Sequence, residues 1–127
     1  MTYSCFEYEL RDHIAHVSMC RGDHFNTMTK AFWSELPELI DKISDAAEAR
    51  VIVLSAQGKH FCAGMDLANF QDDGDFFSTD TKKVSQGRRS EAQFRVTREL
   101  QYTISCLEKA RIPVIAAIQG ACIGGAV

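Results

Sequence analysis

Two short apolar runs, each emptying into a glycine-bearing loop, constrain this chain more than any other feature. The first is Val51-Ile52-Val53-Leu54-Ser55, followed by Ala56 to Lys59 and then His60-Phe61-Cys62-Ala63-Gly64-Met65-Asp66-Leu67. The second is Pro113-Val114-Ile115-Ala116-Ala117-Ile118, followed by Gln119-Gly120-Ala121-Cys122-Ile123-Gly124-Gly125-Ala126-Val127. Val51 to Leu54 is a continuous run of strand formers, suited to a strand covered on both faces. Gly64 permits positive φ and a tight bend, and adjacent glycines such as Gly124-Gly125 let a ligand approach the main chain. Two such loops at the ends of neighbouring strands can aim two backbone N–H groups at one point, the geometry that stabilises an oxyanion.

The segments between these runs predict an α/β chain. Tyr3 to Leu10 and His13 to Met19 read as two strands around the polar turn Arg11-Asp12, although Ile14, Val17 and Met19 do not alternate cleanly. After a loop from Arg21 to Asn26, Asn26 or Thr27 can cap a helix running to about Ala49, with Phe32, Leu36, Leu39, Ile40 and Ile43 on one face. Pro37 lies inside that pattern and should bend the helix or break it near Leu36. The polar stretch Asn69 to Gly87 reads as a mobile surface excursion, the least ordered part of the chain. A second helix is expected from about Arg88 to Lys109, with Phe94, Leu100, Ile104 and Leu107 inward. Pro113 then opens a strand at a position where a missing N–H is tolerated. Alternating strands and helices imply parallel crossovers.

Composition removes several function classes. A chain of 127 residues with a formal net charge of -3 fits one domain, residues 1–127, with no basic field for nucleic acid or an anionic membrane surface. The 46% hydrophobic and 24% charged residues are those of an ordinary globular protein. Five cysteines at scattered positions, without a C-x-x-C pair, point to reduced thiols rather than zinc or a redox couple. The start lacks a secretory signal, and no apolar run reaches the roughly 20 residues that span a bilayer. A cytoplasmic location follows as the expectation, with an organellar matrix left open.

The second loop has the spacing G-x-x-x-G-G, which matches neither a dinucleotide fingerprint nor a phosphate-binding loop ending in G-K-[ST]. With Ala31-Phe32-Trp33-Ser34-Glu35-Leu36 and Gly64-Met65-Asp66-Leu67, it resembles the enoyl-CoA hydratase/isomerase (crotonase) superfamily, leaning towards the dienoyl-CoA isomerase branch. The resemblance runs from Tyr3 to Val127 and covers the first half of a family member. It implies the amino-terminal half of a crotonase-like ββα spiral, an acyl-CoA-binding domain ending at the start of the helix after the second strand-loop. It also implies an oxyanion hole made of the Met65 and Gly125 backbone N–H groups, with Ala63, Gly64, Asp66, Leu67 and Gly124 around the substrate. Arg21 and Lys59 would meet the CoA phosphates or be ordinary surface charges. The coenzyme A thioester is substrate, so neither metal nor tightly held cofactor is implied, and relatives are commonly trimers or hexamers.

A thioester needs such a hole because removing an α-proton, or adding water across the neighbouring double bond, puts charge on the carbonyl oxygen. One fixed donor is worth about 3 kcal/mol, or two orders of magnitude in rate. Donors cannot move a proton, so an acid or base is also required. The resemblance puts an acidic residue at the first position beyond Val127 and a second one later still. Within the chain, Asp66 is either that base or a loop cap, and Glu99 and Glu108 read as solvated helix residues. His13, His16, His24 and His60 lack partners at ligand spacing, and Cys62 is read as a core or loop thiol rather than a nucleophile. The favoured reaction is double-bond isomerisation of an enoyl- or dienoyl-CoA in fatty acid β-oxidation. The alternatives are hydration of a 2-enoyl-CoA, a truncated and non-catalytic thioester-binding chain, or a structural module without a CoA site.

Overall fold

A parallel sheet grows from one edge of a hairpin. In the computed structural model, which describes residues 2–70 and 85–127, β1 (Phe6–Arg11) and β2 (Ile14–Met19) pair antiparallel. Asp12 and His13 form the turn, both at positive φ (51° and 62°), which matches the right-handed twist of the flanking strands. The turn therefore sits one residue later than Arg11-Asp12. The uneven alternation also resolves: Ala15, Val17 and Met19 share the buried face, and Ile14 belongs to the other one.

Strand β3 (Val51–Ala56) lies parallel to β2, and β4 (Val114–Ala116) parallel to β3, giving the order β1-β2-β3-β4. Helix α1 (Lys30–Ala46) joins β2 to β3, and α2 (Gln86–Lys109) precedes β4. Pro113 lies just before β4, where its carbonyl accepts from the Ile52 N–H at 2.9 Å. Ile52 and Leu54 are buried, whereas Val51 and Val53 are only half-buried, so the expected covering of both faces is complete on one.

Helix α1 starts later than the sequence suggests. Thr29 is its cap, accepting from the Phe32 N–H, because Met28 is held extended by pairing with Met65. Asn26 and Thr27, the expected caps, are turned to other partners. The helix ends at Ala46, where Ala47 takes left-handed φ (55°); of the bend or break expected at Pro37, the break near Leu36 does not occur. Its face Phe32, Leu36, Leu39, Ile40 and Ile43 packs on Ala15, Val17, Ile52 and Leu54 to make the core. Burying side chains of this size is worth about 1.5–3 kcal/mol each.

The face of α2 departs from the expectation. Thr103 and Cys106 are buried, Leu100 and Leu107 are half-buried, and Phe94 and Ile104 are 60% and 41% exposed. A hydroxyl and a thiol three residues apart share one side of a helix, and their small size suits close packing there. Phe94 instead lies under the Arg98 guanidinium. Residues 71–84 of the polar excursion are outside the described residues. Its expected ends are structured: Asn69 is buried and Gly87 belongs to α2. Among the described residues, no helix is long and apolar enough to cross a membrane, and no group of three metal-ligating side chains occurs.

Candidate functional site

The first loop is set by Met28. Its N–H donates to the Gly64 carbonyl at 2.8 Å, and its carbonyl accepts from the Asp66 N–H at 3.1 Å. This short parallel ladder uses the groups on either side of Met65 and leaves the Met65 N–H out of it. The second loop is laced to the first through Cys62, whose N–H donates to Ala121 O and whose carbonyl accepts from the Ile123 N–H. A 3₁₀ turn follows over Gly124–Ala126. The first N–H groups of such a turn have no acceptor within it. Among the described hydrogen bonds, neither the Met65 nor the Gly125 N–H has a protein acceptor.

The loops touch at their glycines. Gly64 has φ +94°, and a Cβ there would lie 3.0 Å from Ile123 O and 3.8 Å from Gly124 Cα. A side chain would therefore wedge the loops apart. Beneath them lies Met28: a Cβ on Gly125 would come within 2.9 Å of its sulfur. One buried residue thus holds the first loop through its main chain and supports the second through its side chain.

Two hollows flank this contact. An apolar cavity of about 200 Å3 is lined by Met28, Phe32, Leu54, Phe61 and Gly125 among others, with no Asp or Glu side chain among its described lining residues. An open cleft of about 510 Å3 is lined by Asp23, His24, Phe25, Thr27, Ala63, Met65, Asp66 and Leu67. Met65 therefore lines the cleft, and Gly125 lines the cavity together with Met28.

Asp66 is fully engaged. Its carboxylate accepts from Thr27 Oγ1 at 2.6 Å and from the Ala68 N–H at 2.8 Å, and Arg21 Nη1 lies 3.9 Å away. The Thr27 hydroxyl first, then the Ala68 N–H, hold its carboxyl below the ordinary 3.8 against the opposing effect of burial, with Arg21 assisting. Arg21 also donates to Thr27 O at 3.1 Å, so Arg21, Thr27 and Asp66 form one cluster at the cleft. This is the geometry of a loop cap. Lys59 is exposed and lines neither hollow, and Leu67 is 75% exposed. Glu99 and Glu108 are exposed on α2.

Cys62 is buried, accepts from the Gly64 N–H at 3.4 Å, and has its thiol pushed up by burial, which suits a loop thiol. His13 pairs with Glu48 O, whereas His60 Nδ1 accepts from the Ala121 N–H.

Four residues carry more of the site than the sequence reading assigned them: Met28, His60, Asn26 and Asn69. Asn26 accepts from the Arg21 N–H and donates to Gln57 O and His60 O, joining two loops. Asn69 is buried and donates to Met28 O at 2.8 Å. Each stands in a polar stretch without periodicity, so one-dimensional pattern gives no signal for it.

The enoyl-CoA hydratase/isomerase family model matches residues 9–127. A peroxisomal Delta(3,5)-Delta(2,4)-dienoyl-CoA isomerase of Arabidopsis thaliana is 37% identical over 90% of this chain and 40% of its own length. The mitochondrial Delta(3,5)-Delta(2,4)-dienoyl-CoA isomerase of Homo sapiens is 38% identical over 91% of this chain and 34% of its own. This chain therefore spans well under half the length of these relatives. A solved enoyl-CoA hydratase of Shewanella pealeana has the same fold, with a TM-score of 0.78 at 24% identity over 98% of this chain and 43% of that one. Taken with the two abutting glycine loops, these matches show that the chain belongs to the enoyl-CoA hydratase/isomerase family.

Proposed function

We propose that this chain supplies the thioester-binding and polarising part of a site for a fatty acyl-CoA, with the Met65 and Gly125 N–H groups as its oxyanion hole. The observation that carries the reading is the contact of Gly64 with Gly124, beside two amides that have no acceptor among the described hydrogen bonds. The cleft beside Met65 suits the polar part of the ligand, with Arg21 near it, and the cavity beside Gly125 suits its apolar part. Double-bond isomerisation is the favoured reaction of the whole protein, given the dienoyl-CoA isomerase relatives at 37% and 38% identity. Hydration is the second reading, supported by a protein named probable enoyl-CoA hydratase of Rhodobacter capsulatus, 31% identical over 98% of this chain. The whole protein would be a homotrimer or hexamer. Five free thiols suit a reducing compartment, cytosol or organelle matrix.

Polarisation is not proton transfer. Asp66 is tied into its loop and no described Asp or Glu side chain lines the apolar cavity, so this chain is assigned binding without turnover. A steady-state assay with 3,5-dienoyl-CoA and 2-enoyl-CoA tests it on material of confirmed mass, together with the absorbance of bound 2,4-dienoyl-CoA. The expected result is a red-shifted dienoyl band and negligible turnover. Turnover near ordinary values, roughly 10 s⁻¹, that Asp66→Asn abolishes would make Asp66 the base and overturn this assignment. An unshifted band at saturation would remove the oxyanion hole.

A further inference from the structure

The strand-like pairing between the two loops has a missing step, and a side chain fills it. Cys62 bridges Cys122 in parallel register, with Cys62 N–H donating to Ala121 O and Ile123 N–H donating to Cys62 O. Continued backwards, a regular parallel ladder would have the Ala121 N–H donate to the carbonyl of residue 60. It does not. Gly120, at φ +59°, turns the chain there, and the Phe61 N–H reaches Gln119 O instead. The His60 carbonyl is taken by the Asn26 side-chain amide at 3.1 Å. The Ala121 N–H donates to His60 Nδ1 at 2.9 Å, so the ring nitrogen stands in for the residue's own carbonyl. The acceptor role fixes the neutral tautomer with its proton on Nε2. The ring is packed against Phe25, centroids 5.8 Å apart, and a Cβ on Gly120 would lie 2.7 Å from Nδ1.

We infer that His60 is a positioning residue for the second oxyanion donor: its Nδ1 closes the ladder at Ala121 and so sets the path of Cys122 to Gly125. This rests on the thioester reading given above. His60 lines neither hollow. It acts through the loop, four residues before Gly125.

Two variants separate the acceptor from the ring. His60→Asn keeps an acceptor at the position of Nδ1 and loses the ring; His60→Phe keeps the ring and loses the acceptor. Each is compared with the unsubstituted chain by the exchange rate of the Ala121 amide, by the red shift of bound 2,4-dienoyl-CoA, and by affinity for free CoA. In the Phe variant, Ala121 exchange should rise about tenfold or more, as expected for loss of one hydrogen bond, and the red shift should shrink. In the Asn variant both should stay within about twofold of the unsubstituted chain. Free CoA, which has no thioester carbonyl, should bind all three alike. Long-range proton–nitrogen spectra of the unsubstituted chain should show Nδ1 bare and Nε2 protonated, and the reverse would overturn the assignment without any variant. A Phe variant with unchanged exchange and unchanged shift, or an Asn variant that loses both, would also overturn it. If the unsubstituted chain shows no red shift, the thioester reading fails, and the Ala121 exchange comparison still decides whether His60 holds the loop.

Discussion

The Thr103 hydroxyl of α2 donates to the carbonyl oxygen of Trp33 in α1 at 2.8 Å. In an uninterrupted helix that carbonyl would accept from the N–H of residue 37, and residue 37 is proline. The helix survives Pro37 because a neighbouring helix supplies the donor that the proline lacks. Thr103 is buried, and the bond is partly so. Thr103→Val should lower the stability by about 0.5–1.5 kcal/mol, the net worth of one hydrogen bond. Pro37→Ala restores an N–H at residue 37, and in that background Thr103→Val should cost at least ~0.5 kcal/mol less. Urea unfolding of the four proteins in the cycle measures the coupling, and additive effects would show that the two positions do not share this carbonyl.

Gly120 and Gly87 should respond oppositely to alanine. At Gly120 a Cβ would collide with the Lys59 carbonyl oxygen, and the residue holds left-handed φ. Gly120→Ala should destabilise by at least about 2 kcal/mol, from backbone strain plus overpacking. Gly87 lies in α2 with nothing within 4 Å of a Cβ position. Gly87→Ala should stabilise by up to ~1 kcal/mol through helix propensity. Thermal melts of both variants would reveal an error if their shifts had the same sign.

Acid should loosen the chain through two carboxylates. Burial pushes Glu35 up, but the Ser4 hydroxyl, the Ser4 N–H and the Cys5 N–H together bring it below the ordinary 4.5. Asp66 lies below 3.8 for the reasons given above. For a carboxyl depressed by folding, the stabilisation is fully present above the unfolded-state value and disappears as pH falls through the folded one. Stability should therefore decline as pH drops below about 4.5, and the decline should be shallower in Glu35→Gln and in Asp66→Asn. Identical pH profiles for the parent and both variants would remove these groups from the acid transition.

Thiol reactivity should follow burial. Desolvation first, then Asp41, push Cys106 up to about 11, and the residue has no exposed surface. Brief alkylation of the native chain should label Cys20 and Cys122, both half-buried, before Cys106, Cys62 and Cys5. Peptide mass mapping gives the order, and early labelling of Cys106 would contradict the packing of α2 on α1.

Much of the architecture is legible in the sequence because it rests on local periodicity. Phe32, Leu36, Leu39, Ile40 and Ile43 mark the buried side of α1, and the run Val51 to Leu54 marks β3. The glycines of both loops are equally visible, and the structure brings Gly64 and Gly124 together. What escapes is set by partners distant in sequence. The start of α1 depends on Met28 pairing with Met65, thirty-odd residues away, which no local cap signal reveals. The buried side of α2 is chosen by Thr103 meeting Trp33, and hydrophobicity alone favours Phe94 and Ile104 instead. His60 looks like a lone loop histidine until Ala121 is placed beside it.

The contact between Gly64 and Gly124 is main chain against main chain. Its width does not depend on any rotamer, and side-chain exchange elsewhere in the loops cannot delete its dipoles. The hollows on either side are walled by side chains such as Met28, Phe32, Leu54 and Thr27, which substitution can reshape one at a time. Such a scaffold divides its labour: the spacing of the two loops is written in the backbone, while the shape of the hollows beside them is left free to drift.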